Sequence, residues 1–396
     1  MTTKDHKNSF LENLVELLEL PDSAYEKAKK RYDDLGEWFD RKESLIKGND
    51  PHIFPQGSFR LGTAIRPLNQ GEVYDLDLAC KLRRGITKDT HTQKQLKHLV
   101  GKELELYRSE RGIKAPMEEK HRCWRLEYQD DLNFHMDIVP CIPSDEGRRQ
   151  AIYESMLRAD VVEVVADSVS QHTVAITDDR ILPEYVQITE DWLISNPEGY
   201  AKWFEYRMSQ QRTIALLEKA QVDEVPIFKR KSPLQRAVQL LKRHRDQMYK
   251  DNEDSKPISI IITTLAGRAH NGEQDIESTL TNILSKMGNL VNKDKPRVPN
   301  PVNPAEDFAD RWSMPECRPL RLEENFFYWL SAAKSYFENI LESSDATFIS
   351  EQTARALDIK LDESTLRIKL GATGVSTVSH KPSAQVIHES SRPWSY

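Results

Sequence analysis

The chain has 396 residues and carries 56 Lys and Arg against 63 Asp and Glu, so its formal net charge is −7. At roughly 150 residues per domain, this length predicts two or three domains rather than one small binding module. The lack of a basic excess argues against a protein that coats DNA or RNA non-specifically. The sequence shows neither a long apolar run nor a signal-peptide start, which predicts a cytoplasmic protein that does not enter a membrane.

The first 143 residues read as two long helices, or one bent helix, followed by a mixed sheet. Apolar residues recur at helical spacing from Ser9 to Lys47. From Ile53 to Pro143 the alternating runs VYDLDLACKL, CWRLEY and NFHMDIVPCI predict strands, and a helix is expected between them at Lys94 to Arg111. The four cysteines form no CxxC pair, so we interpret them as core thiols rather than as a zinc site or a disulfide framework.

The second half of the chain reads as mainly helical. Helices are predicted at Gly199 to Ala220, Ser232 to Lys250, Ile258 to Ala269, Ile276 to Asn292 and Glu323 to Leu341. The four-proline stretch KDKPRVPNPVNP is expected to be an extended linker. Beyond Ser350, the short alternating pieces LDIKL and LRIKL precede a Ser-, Thr- and His-rich tail with the composition of a weakly ordered segment. An aromatic cluster at helical spacing is interpreted as core rather than as a stacking platform: Trp192, Tyr200, Trp203, Phe204 and Tyr206.

Three carboxylates carry the first chemical signal. Asp75 and Asp77 are two apart in the apolar run VYDLDLACKL, so both project from one face of a strand. Unpaired charges on a buried strand are costly, and a divalent cation between them removes that cost. Asp137, in the alternating run FHMDIVP, would add a third carboxylate from a neighbouring strand. Three such oxygen ligands together with phosphate oxygens form an arrangement that Mg²⁺ prefers.

A turn that suits a phosphate lies upstream of the carboxylates. Gly57 and Ser58 follow Pro55 and Gln56, and a glycine there allows backbone amides to approach a phosphate while the serine adds a donor. A DxD pair alone is more often a solvated edge strand, and a lone Gly-Ser pair is weaker still. Their joint occurrence with Asp137, in this order, favours metal-assisted nucleotidyl transfer.

These motifs resemble a known family. Gly57-Ser58, Asp75-x-Asp77 and Asp137 are similar to the pattern of the polymerase-β-like nucleotidyltransferase superfamily. The flanking runs QGSFRLGTAIRP, YDLDL, RCWRLEY, SPLQRAVQLLKRHRD and NPVNPAEDFADRW are similar to the bacterial cGAS/DncV-like nucleotidyltransferases, the CD-NTases. The resemblance extends from about Leu11 to about Leu341, and it fixes neither the clade nor the product.

The resemblance implies an α+β fold with two lobes and an active site in the cleft between them. Residues 1–190 would form the nucleotidyltransferase core with its N-terminal helices, residues 191–345 a helical lobe, and residues 346–396 an extension with a partly disordered tail. The implied activity joins nucleoside triphosphates, ATP and possibly GTP, CTP or UTP, into a cyclic di- or trinucleotide with release of pyrophosphate. The family works in CBASS anti-phage signalling, where the product activates a downstream effector.

The resemblance also assigns roles to individual residues. Gln56, Gly57 and Ser58 would contact the donor phosphates, and Asp75, Asp77 and Asp137 would bind Mg²⁺. Family members that are conjugated to partners through the C-terminus end in glycine, whereas this chain ends Trp394-Ser395-Tyr396. A regulatory protein partner stays possible in this interpretation, but conjugation is in doubt.

Further phosphate-binding candidates lie in the basic segment from Lys229 to Arg245, which holds seven Lys or Arg and no acid. On a helix beginning at Ser232, Lys242 falls at the edge of the apolar stripe with Gln235 and Gln239, from where it can reach a cleft. We expect Lys242 to bind the donor triphosphate and Arg243 to lie on the solvated face.

Three more residues complete the candidate site. Ser259 begins the next predicted helix and either contacts the same phosphates or simply caps the helix. Arg122, in the strand before Asp137, is a further phosphate candidate. Asp307 follows PVNP, at the position from which the family's helical lobe reads the acceptor base.

Two other functions stay open from the sequence. A terminal nucleotidyltransferase acting on RNA would need a long basic track or an RNA-binding domain, and the only strong basic cluster is the short one around Lys242. A non-catalytic nucleotide sensor would be marked by the loss of a metal carboxylate, and all three are present. Because the chain has no long basic track, we expect no nucleic-acid template.

Overall fold

The computed structural model describes residues 3–68, 73–129, 134–159, 161–209, 231–364 and 366. The first part of the chain runs α1 Thr3–Leu18, α2 Asp22–Asp40, β1 Pro51–Pro55, α3 Gly57–Leu61, β2 Tyr74–Leu82, α4 Gln93–Glu110, β3 Glu118–Glu119, β4 Trp124–Tyr128, β5 Phe134–Pro143, α5 Glu146–Arg158, α6 Glu163–Ser170, β6 Val174–Ile176 and β7 Leu193–Ser195. It continues with α7 Pro197–Met208, α8 Pro233–Met248, α9 Ser259–Ala269, α10 Ile276–Lys286, β8 Pro299–Asn300, β9 Asn303–Asp307, α11 Leu322–Glu342 and α12 Ala346–Leu357.

One mixed sheet, built from seven strands of the described chain, forms the centre of the first half. The order is β1-β2-β5-β4-β3, with β6 added to β5 and β7 added to β6. Strand β2 pairs antiparallel with β1 and parallel with β5, while β4 pairs antiparallel with β5. Leu76 and Leu78 of β2 are fully buried, so alternation leaves the intervening residues on the opposite face. The predicted α+β fold is confirmed.

Two large apolar cores organise the described chain. One lies between the sheet and helices α2 and α4, with Leu35, Leu78 and Val100 among its buried members. The other contains buried residues of α1 and of the helices from α5 through α12. The first helix therefore packs with the C-terminal helices and not with the sheet. The division of the chain at residues 190 and 345 stays a prediction.

Most predicted helices are present. The two N-terminal helices are α1 and α2, and the helix expected between strands is α4, which starts with a capping box of Thr92 and Gln95. Helices α8, α9 and α11 begin and end within two residues of the predicted bounds, whereas α10 ends at Lys286 and not at the predicted Asn292. The predicted helix from Gly199 continues in α7 to Met208, and its remainder beyond residue 209 lies outside the described residues. Helices α3, α5, α6 and α12 are not among the predicted helices.

One prediction about the chain path is wrong. The proline-rich stretch is no linker, because Pro299 pairs with Asp307 in the β8–β9 hairpin, and Val298 and Val302 are fully buried. Burial of these valines gives the stretch a fixed place in the helical core. The LDIKL piece forms no strand within the described chain; Leu357 ends α12 and Ile359 packs against the same core. The LRIKL piece, apart from Leu366, and the tail lie outside the described residues.

Side chains judged structural in the sequence are packed as expected. Of the aromatic cluster, Trp192, Tyr200, Trp203 and Phe204 are buried. The four cysteines are free thiols, three of them buried. None of the helices in the described ranges combines the length and apolar character needed to cross a bilayer.

Candidate active site

Strands β2 and β5 bring the three predicted carboxylates to one face of the sheet. In the parallel register Asp77 lies opposite Asp137, and Asp75 lies opposite His135. The Nδ1 atom of His135 is 3.5 Å from Oδ1 of Asp75. The sequence placed Asp75 and Asp77 on one strand face and Asp137 on a neighbouring strand, and the register that joins the three comes from the structure.

Asp77 is the central and least ordinary carboxylate. Its burial, reinforced by the negative charges of Asp75 and Asp137, raises its pKa to about 7. Arg125 and Lys242 act in the opposite direction. Asp77 therefore holds a proton more readily than an ordinary aspartate, and added positive charge favours its ionised form.

The turn after β1 is built around Asp77. Gly57 has a φ of +65°, and a Cβ placed on it would lie 2.0 Å from Oδ2 of Asp77. Only glycine permits both this backbone conformation and this approach. The Gln56 backbone N–H donates to the Asp77 carbonyl at 2.8 Å, and its side-chain amide donates to the Leu78 carbonyl at 3.2 Å. Gln56 thus ties the turn to β2, while Gly57 and Ser58 face the cleft.

Asp137 has a partner that sequence reasoning missed. Arg125 of β4 lies opposite it in the antiparallel register, and the two side chains form a bidentate ion pair with both distances at 2.7 Å. The sequence shows an arginine in CWRLEY but not the register. This pair offsets part of the negative charge on the carboxylate face.

One edge of α8 holds the segment that follows α3. Three side chains donate to its backbone carbonyls: Gln235 to Leu61 at 2.9 Å, Gln239 to Ala64 at 2.8 Å and Lys242 to Thr63 at 2.9 Å. The predicted grouping of these three at the edge of the apolar stripe is confirmed. Burial and the nearby Arg245 lower the pKa of Lys242 to about 8, so the lysine is mostly protonated at neutral pH.

The expectation for Arg243 is wrong. Its side chain is 5% exposed rather than solvated. It donates to the backbone carbonyl of Arg66, two residues beyond Ala64. The reason is tertiary: the face of α8 that the helical wheel assigned to solvent is covered by the chain between α3 and β2.

A cleft of about 660 Å³ joins these parts. Six predicted site residues line it: Gly57, Ser58, Asp75, Asp77, Lys242 and Ser259. Five further cations also line it: Arg66, Arg245, Lys250, Lys256 and Arg311. Asp246, Glu253 and Asp254 lie in the same lining, so the cleft holds carboxylates and cations together, and its cations suit an anionic substrate.

Four predicted site residues are absent from the described lining of this cleft: Gln56 and Asp137, which have the partners given above, and Arg122 and Asp307. Arg122 pairs through Nε with Oδ2 of Asp178 at 2.7 Å. The Asp307 carboxylate accepts the backbone N–H groups of Arg297, Val298 and Ala309, at 2.8 to 2.9 Å, and so closes the β8–β9 hairpin. Among the described residues, the cleft lining includes neither Arg122 nor Asp307. Their proposed substrate contacts stay predictions without support from this arrangement.

Ser259 lies at the entrance to α9 in the cleft. The N-cap of the helix is Ile258, which makes no side-chain capping bond, and Ser259 is the first helical residue. The Ser259 hydroxyl accepts a hydrogen bond from the Arg245 guanidinium at 2.7 Å. Arg245 is the second missed residue, although its position three residues after Lys242 on the same helix was a usable signal.

The carboxylates have the chemistry of a divalent-cation site. Asp77 lies between two like charges that raise its pKa, and three carboxylates are hard oxygen donors of the kind that Mg²⁺ takes. Within the described chain no three His, Cys, Asp or Glu side chains already converge on one point, since Asp137 is turned to Arg125. The donor set fits the cation in kind, and Asp137 has to exchange its partner to complete it.

Comparisons with known proteins agree with this geometry. Residues 51–141 match the family model of the nucleotidyltransferase domain of the cyclic GMP-AMP synthase DncV type. A c-di-GMP synthase of Roseivirga ehrenbergii is 32% identical over 309 residues, which cover 76% of this chain and 72% of that protein. This chain belongs to the CD-NTase family.

Solved CD-NTase structures share the fold. That of Bradyrhizobium diazoefficiens CdnG in complex with GTP has a TM-score of 0.61 at 20% identity, covering 92% of this chain and 98% of that one. The CdnC:HORMA complex of Escherichia coli MS115-1 has a TM-score of 0.53 at 13% identity, covering 90% and 98%. This CD-NTase is a nucleotidyltransferase, and its curated relatives are cyclic dinucleotide synthases. The family generally uses a divalent metal in catalysis.

Proposed function

We propose that this CD-NTase makes a cyclic di- or trinucleotide from nucleoside triphosphates, without a template, in a Mg²⁺-dependent reaction that releases pyrophosphate. The observation that carries the proposal is the cleft in which the Gly57-Ser58 turn, the Asp75 and Asp77 carboxylates and Lys242 meet. GTP is the first substrate to test, because the relative from Roseivirga is a c-di-GMP synthase.

The chain's own residues divide the work of binding the donor nucleotide. Backbone N–H groups at Gly57 and the Ser58 hydroxyl bind phosphate oxygens, since the absence of a side chain at Gly57 leaves room beside Asp77. Lys242 supplies positive charge from the opposite wall. Asp75, Asp77 and Asp137 would hold Mg²⁺, which when bound offsets phosphate charge and lowers the pKa of the attacking hydroxyl.

Each phosphodiester bond forms by the same reaction. A ribose hydroxyl of the acceptor attacks the α-phosphorus of the donor, a P–O bond forms, and the bond to pyrophosphate breaks. The hydroxyl proton passes to a carboxylate of the β2–β5 face or to water. A last attack within the linear product closes the ring. Positioning in the cleft provides most of the rate, because little covalent chemistry is left for side chains.

We also propose that the product acts in anti-phage defence by activating an effector protein. Support comes from the family alone, in which CBASS systems use such products. A regulatory protein partner is part of this proposal, because CdnC of E. coli MS115-1 was solved with a HORMA protein.

The test is to incubate the protein with the four nucleoside triphosphates and Mg²⁺, without nucleic acid, then treat with phosphatase and identify the products by mass spectrometry. We expect a phosphatase-resistant product with the mass of a cyclic di- or trinucleotide. The variant Asp75→Ala with Asp77→Ala should form none while staying folded, because it removes like charges from one strand face.

A resistant product from that double variant would overturn the assignment of the carboxylates. Extension of added RNA in place of a resistant product would instead support a terminal nucleotidyltransferase. Binding of GTP without any product, with and without RNA, would support a nucleotide sensor.

A further inference from the structure

Arg245 is a buried cation with an unusual set of partners. It lies on α8, lines the cleft and has a side chain that is only 6% exposed. Its Nη1 donates to the Ser259 hydroxyl at 2.7 Å and to the Pro257 carbonyl at 3.2 Å. Its Nε and Nη2 donate to one carboxylate oxygen of Asp246, at 2.9 and 2.5 Å. One guanidinium thus joins α8 to the start of α9.

These bonds leave Arg245 little capacity for a substrate. A guanidinium has five N–H donors, and four hydrogen bonds already engage it. The charge is also largely balanced by Asp246, whose carboxylate is in contact with it. Arg245 is therefore poorly suited to bind a phosphate directly, although it lines the cleft.

The bond from Arg245 determines whether the Ser259 hydroxyl acts as a donor or as an acceptor toward a ligand. Arginine only donates, so the Ser259 oxygen is the acceptor in their bond and the hydroxyl proton is left to donate elsewhere. Within the described chain no acceptor for that proton is found. A hydroxyl whose oxygen accepts from a cation is also a stronger donor, because the two bonds polarise each other.

The surroundings of Ser259 point that donor toward an anion. Ser259 begins α9, an 11-residue helix, and the first N–H groups of a helix lack partners within it and carry partial positive charge. The same cleft wall carries Lys242. A phosphate bound there would meet a lysine, a helix N-terminus and the Ser259 hydroxyl together.

We propose that Arg245 is a positioning residue for the donor triphosphate: it fixes Ser259 so that the hydroxyl donates to a phosphate oxygen, and does not itself contact the nucleotide. This inference rests on the proposed function, since it concerns how the same cleft holds its substrate.

A double-mutant cycle tests the proposal. The dissociation constant of a non-hydrolysable GTP analogue, with Mg²⁺, is measured by calorimetry for the wild type, Arg245→Gln, Ser259→Ala and the double variant. Loss of a hydrogen bond to a charged group changes affinity by about tenfold or more. Each single variant should therefore bind about tenfold more weakly, and the double variant no more weakly than the weaker single one.

Arg243→Gln is the matched control. Arg243 lies on the same helix as Arg245, and each of the two residues is 5% exposed. Arg243 differs in its partner, because it donates to the Arg66 carbonyl instead of Ser259. Its effect on the dissociation constant should multiply with that of Ser259→Ala. Melting temperatures confirm that each variant is folded. Should Arg245→Gln not fold, Arg245→Lys replaces it, because an ammonium cannot reproduce the forked contact with both Asp246 and Ser259.

The outcomes separate the two proposals. Independent, multiplying effects of the Arg245 and Ser259 variants would show that Arg245 acts only on the fold, and would overturn the inference. An unchanged dissociation constant in the Arg245 variants would overturn it as well. A wild-type protein that binds no triphosphate would instead contradict the proposed function.

Discussion

At the scale of single residues, the site combines groups that are individually unfavourable. Asp77 is partly buried beside two other carboxylates, and Gly57 adopts a left-handed conformation against it. Strain and repulsion of this kind are retained where function requires them. The repulsion at Asp77 and the backbone conformation of Gly57 should each lower the free energy of unfolding of the protein without substrate.

The repulsion at Asp77 predicts a pH-dependent stability. The pKa of Asp77 is raised from 3.8 to about 7, so the folded state binds this proton more tightly than the unfolded state does. Stability is therefore lost as the pH rises from 3.8 to about 7. Asp77→Asn mimics the protonated form and should be about 2 kcal/mol more stable than the wild type at pH 8, after allowance for solvent screening.

Urea unfolding in EDTA at pH 4 and pH 8 measures this difference. The gain should fall below about 1 kcal/mol at pH 4, where Asp77 keeps its proton in the folded state and is close to half protonated in the unfolded state. Asp251→Asn, which removes an exposed carboxylate, should show no such pH dependence. An Asp77→Asn protein less stable than the wild type at pH 8 would contradict the prediction.

Gly57→Ala should disable the site through geometry alone. The new Cβ would lie 2.0 Å from the Asp77 carboxylate at a φ of +65°, so the turn or Asp77 must move. We expect a loss of about 2 kcal/mol of stability from the left-handed backbone and at least about 100-fold lower synthesis, since small displacements of positioned groups cost this much.

Gly36→Ala provides the comparison for that variant. Gly36 lies in α2 with nothing within 4 Å of the added Cβ, so the exchange should raise stability by about 0.5 to 1 kcal/mol and leave synthesis unchanged. Near-normal synthesis by Gly57→Ala would show that the turn does not need to approach Asp77 so closely.

At the scale of elements, α8 serves both packing and the site. Leu234, Val238 and Leu241 of α8 are fully buried in the helical core, while one edge donates hydrogen bonds to the carbonyls between Leu61 and Ala64. These carbonyls belong to the last residue of α3 and to the irregular segment that follows it. The helix thereby fixes the segment that connects the phosphate turn to β2.

Gln239→Met tests this support. Gln239 is fully buried and donates to the Ala64 carbonyl at 2.8 Å; methionine keeps the volume and removes the donor, which should cost about 1 to 3 kcal/mol. GTP should also bind more weakly, because the released segment lines the cleft. Chemical denaturation and calorimetry measure the two effects.

Gln247→Met is the control on the same helix. Its amide donates to the Arg355 carbonyl at 3.3 Å near the surface, away from the cleft, so stability should change by less than about 0.5 kcal/mol and GTP binding should not change. An equal loss in both variants would show that the contact with Ala64 has no special role.

At the scale of the whole molecule, the site depends on two cores that meet. The carboxylates belong to the sheet, and Lys242, Arg245 and Ser259 belong to helices of the other core. Because α1 packs with the C-terminal helices, the two ends of the described chain stabilise one core. Changes far from the cleft, such as in α1, can therefore alter how its walls face each other.

The sequence by itself determined the local patterns. Alternation around Asp75 and Asp77 placed both on one strand face, the 3.6-residue period located α8 to α11, and the Gly57-Ser58 pair marked the turn. These inferences hold because strand and helix periodicities are local properties of the backbone. The family resemblance, carried by the same motifs, gave the fold and the enzyme class.

Only the tertiary structure decided which residues face each other. The pairing of Arg125 with Asp137, the burial of Arg243, the link from Arg245 to Ser259 and the use of Asp307 to close a hairpin all join residues whose positions depend on strand register or helix packing. The proline-rich stretch was misread for the same reason, since its valines are buried by distant helices. Long-range packing selects among the partners that local patterns leave open, and that selection forms the cleft.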